Sequence, residues 1–455
     1  MTIQTINPAT GEVIKTYQEM SGNKVDQMLA NGDAAFQHWK TLSFAERACL
    51  MKKVAELLCA DKTNYAKIIT TEMGKPITQA IAEIEKCAWI CNHYGDHAEM
   101  YLAPRQVKTE MQKSFVYYEP KGLIFAIMPW NFPFWQVFRF AAPNLMAGNT
   151  AVLSHAPIST GAALAIEQIF HLAGFPAGVF QSLIINNEQA AKVIADPRVI
   201  GVTLTGSQGA GKIVGSEAAK HLKKSVLELG GSDPYLILAD ADIDRAATTC
   251  VTARLMVSGQ VCISPKRLIV VDNVYDQFEQ KVIELTRAYQ AEDPLSETCN
   301  FGPMARADLR ETIAKQVNDS MAKGAVCVYG GKSINRPGFY YQPTILKNIQ
   351  AGMPAYEQEL FGPVICLIRA KDEQEAIAIA NDNAYGLGAA VFTRDEKKGE
   401  RIAVQELRAG VCAVNTFVAS DPRMPFGGTK QSGYGRECSA EGIYEFMNIK
   451  SVSIA

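Results

Sequence analysis

Three residues of this sequence have side chains and neighbours suited to forming and hydrolysing an acyl-enzyme. Cys262 closes the stretch Gly259-Gln260-Val261-Cys262, a glycine-flanked thiol between a polar loop and a strand. Structural thiols usually sit inside apolar runs, whereas this placement exposes a nucleophile. Glu228 stands at a strand end before Leu229, Gly230 and Gly231. The two glycines permit close backbone approach and leave the carboxylate accessible as a base. Asn131, within Trp130-Asn131-Phe132-Pro133, is an amide among aromatic and proline neighbours, and a buried amide must find partners or act as an oriented donor. Each also has a plainer reading: a core thiol, a salt-bridged Glu and a turn-stabilising Asn.

Two other clusters invite chemistry and do not sustain it. Gly206-Ser207-Gln208-Gly209-Ala210-Gly211-Lys212 follows a strand and opens a helix, as a phosphate-cradling P-loop does, but Ile213 stands where a Ser or Thr must hold magnesium. The glycines also miss the G-x-G-x-x-G spacing, although a pyrophosphate could still rest on this helix N-terminus. Cys87, Cys91, His93 and His97 suggest zinc, but at 100° per residue one helix cannot turn all four toward one metal. Buried thiols on one face and solvent-side histidines on another are expected instead, and no metal site.

The elements that must position these residues follow from periodicity. Apolar residues at three- and four-residue spacing predict helices over Val25 to Lys40, Phe44 to Ala60, Lys62 to Met73 and Ile77 to Leu102, after a short hairpin turning at Thr10-Gly11. Gln106 to Tyr118 reads as extended. Strands at Gly122 to Met128, Thr150 to Leu153, Val179 to Ile185, Val199 to Thr205 and Ser225 to Leu229 then alternate with helices, the rhythm of a doubly wound parallel sheet. A second such series starts after Gly230-Gly231, with strands at Tyr235 to Leu238, Arg267 to Val271, Ala325 to Tyr329 and Val364 to Ala370. The boundary near residue 230 carries no flexible linker, so a tight interface with a ligand-holding cleft is expected.

Composition sets the outer limits. A chain of 455 residues exceeds one ordinary domain of roughly 100 to 200 residues. Lys and Arg total 45 against 47 Asp and Glu, so no single-sign field recruits nucleic acid or anionic lipid. Hydrophobic residues at 48% and charged residues at 20% exclude intrinsic disorder. The start lacks the pattern of a signal peptide, and polar residues and prolines interrupt the most apolar stretch, Leu123 to Leu153, so no membrane span is predicted. Eleven scattered cysteines suit a reducing compartment, and a cytoplasmic location is expected.

Taken together the motifs resemble the aldehyde dehydrogenase superfamily: PWNFP at Pro129 to Pro133, TGS at Thr205 to Ser207, ELGG at Glu228 to Gly231, GQVC at Gly259 to Cys262, ELFGPV at Glu359 to Val364 and PFGGTKQSGYGRE at Pro425 to Glu437. Their order covers almost the whole chain. PWNFPFWQVFR and the segment His155 to Pro157 are similar to the short bacterial succinate-semialdehyde dehydrogenases. The resemblance implies an α/β fold of two doubly wound parallel-sheet domains plus a β oligomerisation arm. The dinucleotide-binding domain would span 1–103 and 121–230, the catalytic domain 231–435, and the arm 104–120 and 436–455.

It further implies that Cys262 attacks the aldehyde, that Asn131 and the Cys262 backbone N–H hold the oxyanion, and that Glu228 activates water against the thioester. The family's coenzyme contacts fall on Pro129, Trp130, Ser154, Gly206, Ser207, Gly211, Leu229, Glu359 and Phe361. A distal carboxylate on the aldehyde would meet Arg139, eight residues beyond Asn131, with Gln136 and Ser420 as further substrate contacts. A helix Arg paired with a domain carboxylate is the plainer account of Arg139. A second family Arg is Met256 here, which implies a thinner anchor and a more tolerant pocket. The Glu that disfavours a 2′-phosphate falls near Pro157, but with Ser154 in place of the Lys that grips the adenosine ribose a cation for that phosphate is missing too. Of NAD and NADP, NAD is therefore favoured. The strand-like tail Ile443 to Ala455 would add to a neighbouring subunit's sheet, giving a homodimer or homotetramer. A broader aldehyde dehydrogenase, a thiol acyl hydrolase and a non-catalytic relative are the competing readings.

Overall fold

The computed structural model describes residues 2–455. The hairpin Thr2–Ile6 and Val13–Gln18 precedes four helices, Gly22–Trp39, Phe44–Ala60, Lys62–Met73 and Ile77–Tyr101. Local chemistry sets their ends. Ser43 and Glu46 form a reciprocal capping box at the second helix, and Gly74, with φ 80°, ends the third in a left-handed cap. On the fourth helix, Gln79, Glu83 and Lys86 recur at helical spacing and share a face, while Ile84, Cys87 and Cys91 are buried. His93 departs from the expected solvent-side placement. It is buried, its ring stacks on His97 at 4.5 Å, and its Nε2 lies 3.2 Å from the Tyr101 hydroxyl. Among the described residues no cluster could hold a metal ion.

The first large sheet has six strands, in the order Gly433–Tyr434, Lys224–Glu228, Val199–Thr205, Leu123–Met128, Thr150–His155 and Phe180–Ser182. All neighbours are parallel except the first pair. Phe180–Ser182 is shorter than the expected Val179 to Ile185, because this edge strand has a single neighbour and pairs with it over three residues. The chain moves outward from Leu123–Met128 in one direction and then returns to lay Val199–Thr205 on its other side. This reversal opens a crevice at the carboxyl ends of the two strands, where open α/β sheets bind ligands.

The second sheet has seven strands, in the order Val326–Tyr329, Thr344–Lys347, Val364–Ala370, Pro265–Val271, Asp233–Ile237, Gly388–Phe392 and Val411–Val414, parallel except at the first pair. Gly231, Cys262 and Phe361 each lie just ahead of one of its strands. The carboxyl edge of the first sheet therefore meets the amino edge of the second.

A third sheet joins Arg105–Gln106, Lys113–Pro120 and Met447–Ile454. The expected extended run Gln106 to Tyr118 is broken after Gln106 by a turn in which the Thr109 and Ser114 hydroxyls meet at 2.7 Å. The tail also begins differently from its expected strand: Ser439–Tyr444 is helical, and only Met447–Ile454 is extended. It pairs along its whole length with Lys113–Pro120 of the same chain. Its partner on that edge is thus this chain's own arm, and only its outer edge is left for a neighbour.

Candidate active site

The thiol of Cys262 is carried by a strained loop. Val257, Ser258 and Gly259 all have positive φ, at 51°, 53° and 75°, a conformation that costs a β-branched residue such as Val of order 1–3 kcal/mol. Surrounding bonds over-determine it. Val257 N–H donates to Gln79 Oε1 at 2.9 Å, and Ser258 Oγ donates to Gly302 O at 2.8 Å. Gly259 is obligatory for space as well, since a Cβ there would lie 2.1 Å from Gly362 O. The buried Arg254 guanidinium binds Gly259 O, Ser264 Oγ, Leu360 O and Val364 O. Lys266, also buried, donates to Val261 O at 2.9 Å and Cys262 O at 2.6 Å and faces Glu359 at 3.6 Å. Burial pushes the Cys262 thiol up to about 11, opposed by the charges of Arg139 and Lys266.

Asn131 sits just before the helix Trp135–Ala147, which has no side-chain cap of its own. Its first turn is held from outside: Glu83 Oε1 accepts from the N–H groups of Phe134 and Trp135 at 2.9 and 3.0 Å. Glu83 is in turn ion-paired with Lys75, whose ammonium lies 3.6 Å from the centre of the Phe132 ring. Asn131 Nδ2 donates one hydrogen to Gln260 O at 3.0 Å, and the side-chain amide of Gln136 meets its Oδ1 at 3.0 Å. The second Asn131 N–H remains for an oxyanion beside Cys262.

Glu228 ends its strand almost fully buried, and neither carboxylate oxygen has a hydrogen-bond partner. Burial and the Glu437 carboxylate push its pKa well above the usual carboxylate range, while Arg139 and Arg436 oppose the rise. Arg139 lies between them. It is itself buried, ion-paired through Nε with Glu437, and its guanidinium stands 4.6 Å over the Phe426 ring.

Two cavities converge on this centre. One encloses about 330 Å³ and is largely apolar, with Phe132, Trp135, Met256, Val261, Phe417 and Phe426 among its walls; Cys262, Gln136, Arg139, Ser420 and Lys86 also face it. The other, about 230 Å³, is lined by Pro129, Trp130, Asn131, Gly206, Ser207, Glu228, Leu229, Glu359 and Phe361. Only Gln136 and Cys262 line both.

The second cavity fits a dinucleotide. Ser207 caps the helix Gln208–Lys220, leaving further N–H groups of its first turn free for an anion. Thr205, which lines the cavity, has a buried hydroxyl with no partner. A Cβ at Gly230 would lie 2.2 Å from Glu359 Oε2, so a side chain there would displace that carboxylate. Glu359 is oriented by Gly231 N–H at 3.1 Å, and Trp130 stands edge-on to Phe361 at 5.8 Å. Ser154 and Gly211 are not among the lining residues. Ser154 is buried at the end of its strand, and Gly211 packs against Leu229, where a Cβ would lie 2.5 Å from Leu229 Cδ1.

Sequence reasoning did not single out Lys75, Glu83, Lys86, Arg254, Lys266 or Glu437. The available signal was charge at positions that the helix and strand patterns assign to a buried face, as with Glu83 between Ala80 and Ile84 and Lys266 at the head of an apolar strand.

Comparisons with known proteins accord with this architecture. The sequence matches the aldehyde dehydrogenase family across residues 1–452. It is 46% identical, over the full length of both chains, to a probable succinate-semialdehyde dehydrogenase [NADP(+)] of Synechocystis sp.. It is 43% identical, again over both full lengths, to succinate-semialdehyde dehydrogenase [NADP(+)] 1 of Mycobacterium tuberculosis. A solved succinic semialdehyde dehydrogenase of Streptococcus pyogenes in complex with NADP+ superposes with a TM-score of 0.97 at 37% identity, covering 99% of each chain. Among the described residues no helix is long and apolar enough to cross a membrane. The chain belongs to the aldehyde dehydrogenase family.

Proposed function

We propose that the protein oxidises succinic semialdehyde to succinate, with NADP+ as hydride acceptor. The observation that carries this reading is the position of Cys262 where a largely apolar cavity with cationic groups in its wall meets a second cavity that runs to the N-terminus of the helix after Ser207. Relatives named for succinate semialdehyde and NADP(+) support the substrate and the coenzyme. The preference for NAD drawn from Ser154 and Pro157 finds no support among them.

The Cys262 sulfur, as thiolate, adds to the aldehyde carbon, and the oxygen takes the negative charge. Asn131 Nδ2 and the Cys262 N–H stabilise that oxyanion, an arrangement in which one donor contributes about 3–4 kcal/mol. Trp130, Ser207, Leu229, Glu359 and Phe361, together with Pro129 and Gly206, would hold the coenzyme, which would supply the acceptor for the hydride that leaves the thiohemiacetal carbon as the thioester forms. Glu228 then takes a proton from water, whose oxygen attacks the thioester carbon and releases the carboxylic acid and the Cys262 thiolate. Burial and the Glu437 carboxylate raise the proton affinity of Glu228, which suits a group that must take a proton from water. The exposed outer edge of Met447–Ile454, with Ile449 and Ile454 on the surface, supports assembly with further copies of the chain.

The test is formation of reduced coenzyme, followed by absorbance, with succinic semialdehyde beside butanal and with NADP+ beside NAD+. The proposal expects a strong preference for succinic semialdehyde and for NADP+. Equal use of butanal would remove the semialdehyde assignment and leave a broader aldehyde dehydrogenase.

A further inference from the structure

The tunnel wall contains two cations, and their circumstances differ. Arg139 is ion-paired with Glu437 and also lies in the field of Glu228, so its charge is already answered by carboxylates. The neighbouring position that could have added a second cation is Met256, a neutral lining residue. Lys86, by contrast, forms no ion pair among the described residues. The carboxylates nearest to it are engaged elsewhere. Glu83 serves Lys75 and two backbone N–H groups, and Asp421 holds Arg423 through both oxygens, at 2.9 and 2.7 Å.

What Lys86 touches is neutral. Its Nζ donates to Ser420 Oγ at 2.9 Å and stands 4.2 Å from the Trp135 ring centre. Ser420 Oγ also accepts from Trp135 Nε1 at 3.0 Å. Both of these partners are donors only, so they occupy the oxygen's lone pairs and leave the Ser420 proton to be donated elsewhere. Lys86 retains further N–H groups as well. A hydroxyl proton and the spare N–H groups of an ammonium, side by side in the tunnel wall and without a carboxylate partner, form a receptor for an anion.

The placement along the tunnel suits a substrate with reactive groups at opposite ends. On the helix Ile77–Tyr101, Gln79 contacts the nucleophile loop through Val257. Lys86 lies two turns further on, about 10 Å along the axis at 1.5 Å per residue. Cys262 and Lys86 line the same cavity, so an aldehyde at the sulfur can extend its chain along that wall toward Lys86.

We infer that Lys86, acting with the Ser420 hydroxyl, binds the distal carboxylate of the substrate, the role that family resemblance assigns to Arg139. The inference rests on the semialdehyde reading above and deepens it. Burial lowers the Lys86 pKa to about 8, which leaves the ammonium mostly charged at neutral pH.

The test measures kcat and KM separately for succinic semialdehyde and butanal in the wild type, Lys86→Met and Lys86→Arg. Losing a charged hydrogen-bond partner is expected to raise the KM of Lys86→Met for succinic semialdehyde about 10- to 100-fold. Its kcat at saturation and its kinetics with butanal should stay within about threefold, and Lys86→Arg should keep most of the preference. If the wild type prefers succinic semialdehyde and Lys86→Met keeps that preference, the carboxylate binds elsewhere and this inference falls while the semialdehyde reading stands. If Lys86→Met loses both substrates alike, the residue is structural and the inference also falls. If the wild type itself shows no preference, the semialdehyde reading fails and takes the inference with it.

Discussion

Replacing Glu83 by Gln isolates one electrostatic contact beneath the oxyanion site. The side chains of Lys75 and Glu83 are 0% and 1% exposed. Gln at 83 still offers an oxygen to the N–H groups of Phe134 and Trp135, so the principal loss is the negative charge facing Lys75. Breaking a buried pair by removing one partner costs about 3–5 kcal/mol. At 2–4 °C per kcal/mol for domains of this size, that corresponds to a fall in melting temperature of roughly 6–20 °C. The cost should depend on pH. Burial already lowers the Lys75 pKa, and losing Glu83 lowers it further, whereas the unfolded chain titrates near 10.4. The unfolded state then binds a proton that the native state lacks, so the deficit relative to wild type should deepen as pH falls from the unfolded value of about 10.4 toward the lowered native one. Scanning calorimetry across that range measures both effects. The double variant Lys75→Met with Glu83→Gln leaves no stranded charge and should melt above Glu83→Gln alone. A Glu83→Gln melting point within about 2 °C of wild type, or a double variant less stable than the single one, would refute the reasoning.

Two further outcomes concern the chemistry itself. Asn131→Ala should lower kcat by about 10²–10³ while coenzyme binding, read by fluorescence titration, is unchanged; a loss below tenfold would remove Asn131 from the oxyanion site. Glu228→Gln should release about one equivalent of reduced coenzyme per active site and then stall at the thioester. Because Glu228 works deprotonated and its pKa is raised by burial and Glu437, wild-type turnover should climb with pH beyond the range in which an ordinary carboxylate titrates. A wild-type profile that stays flat as pH rises would count against Glu228 as the base.

The two large sheets were legible because parallel strands buried on both faces stand out as short apolar runs, and Val199–Thr205 and Val364–Ala370 have the expected limits. The first helices were equally clear, since Ser43 with Glu46 and Gly74 mark ends in the sequence itself. Cys262, Glu228 and Asn131 were visible through their glycine and aromatic neighbours. The groups around them were not, because they depend on contacts that no local pattern records. Lys86 meets Ser420 across 334 residues, and Arg139 meets Glu437 from opposite ends of the chain. Arg139 was legible as a cation, but the carboxylate that occupies it was not. The tail shows the same limit: a β-rich composition did not disclose that Cys438 and Ser439 take positive φ and start a short helix first.

The meeting of the two cavities at Gln136 and Cys262 makes the sulfur a partition as well as a reagent. On the proposed function the substrate lies on one side of the sulfur and the coenzyme on the other. A covalent label on that one atom would stand in both rooms at once. An electrophile shaped for either doorway would therefore reach the same target, and its selectivity would be decided by the walls it passes before the sulfur.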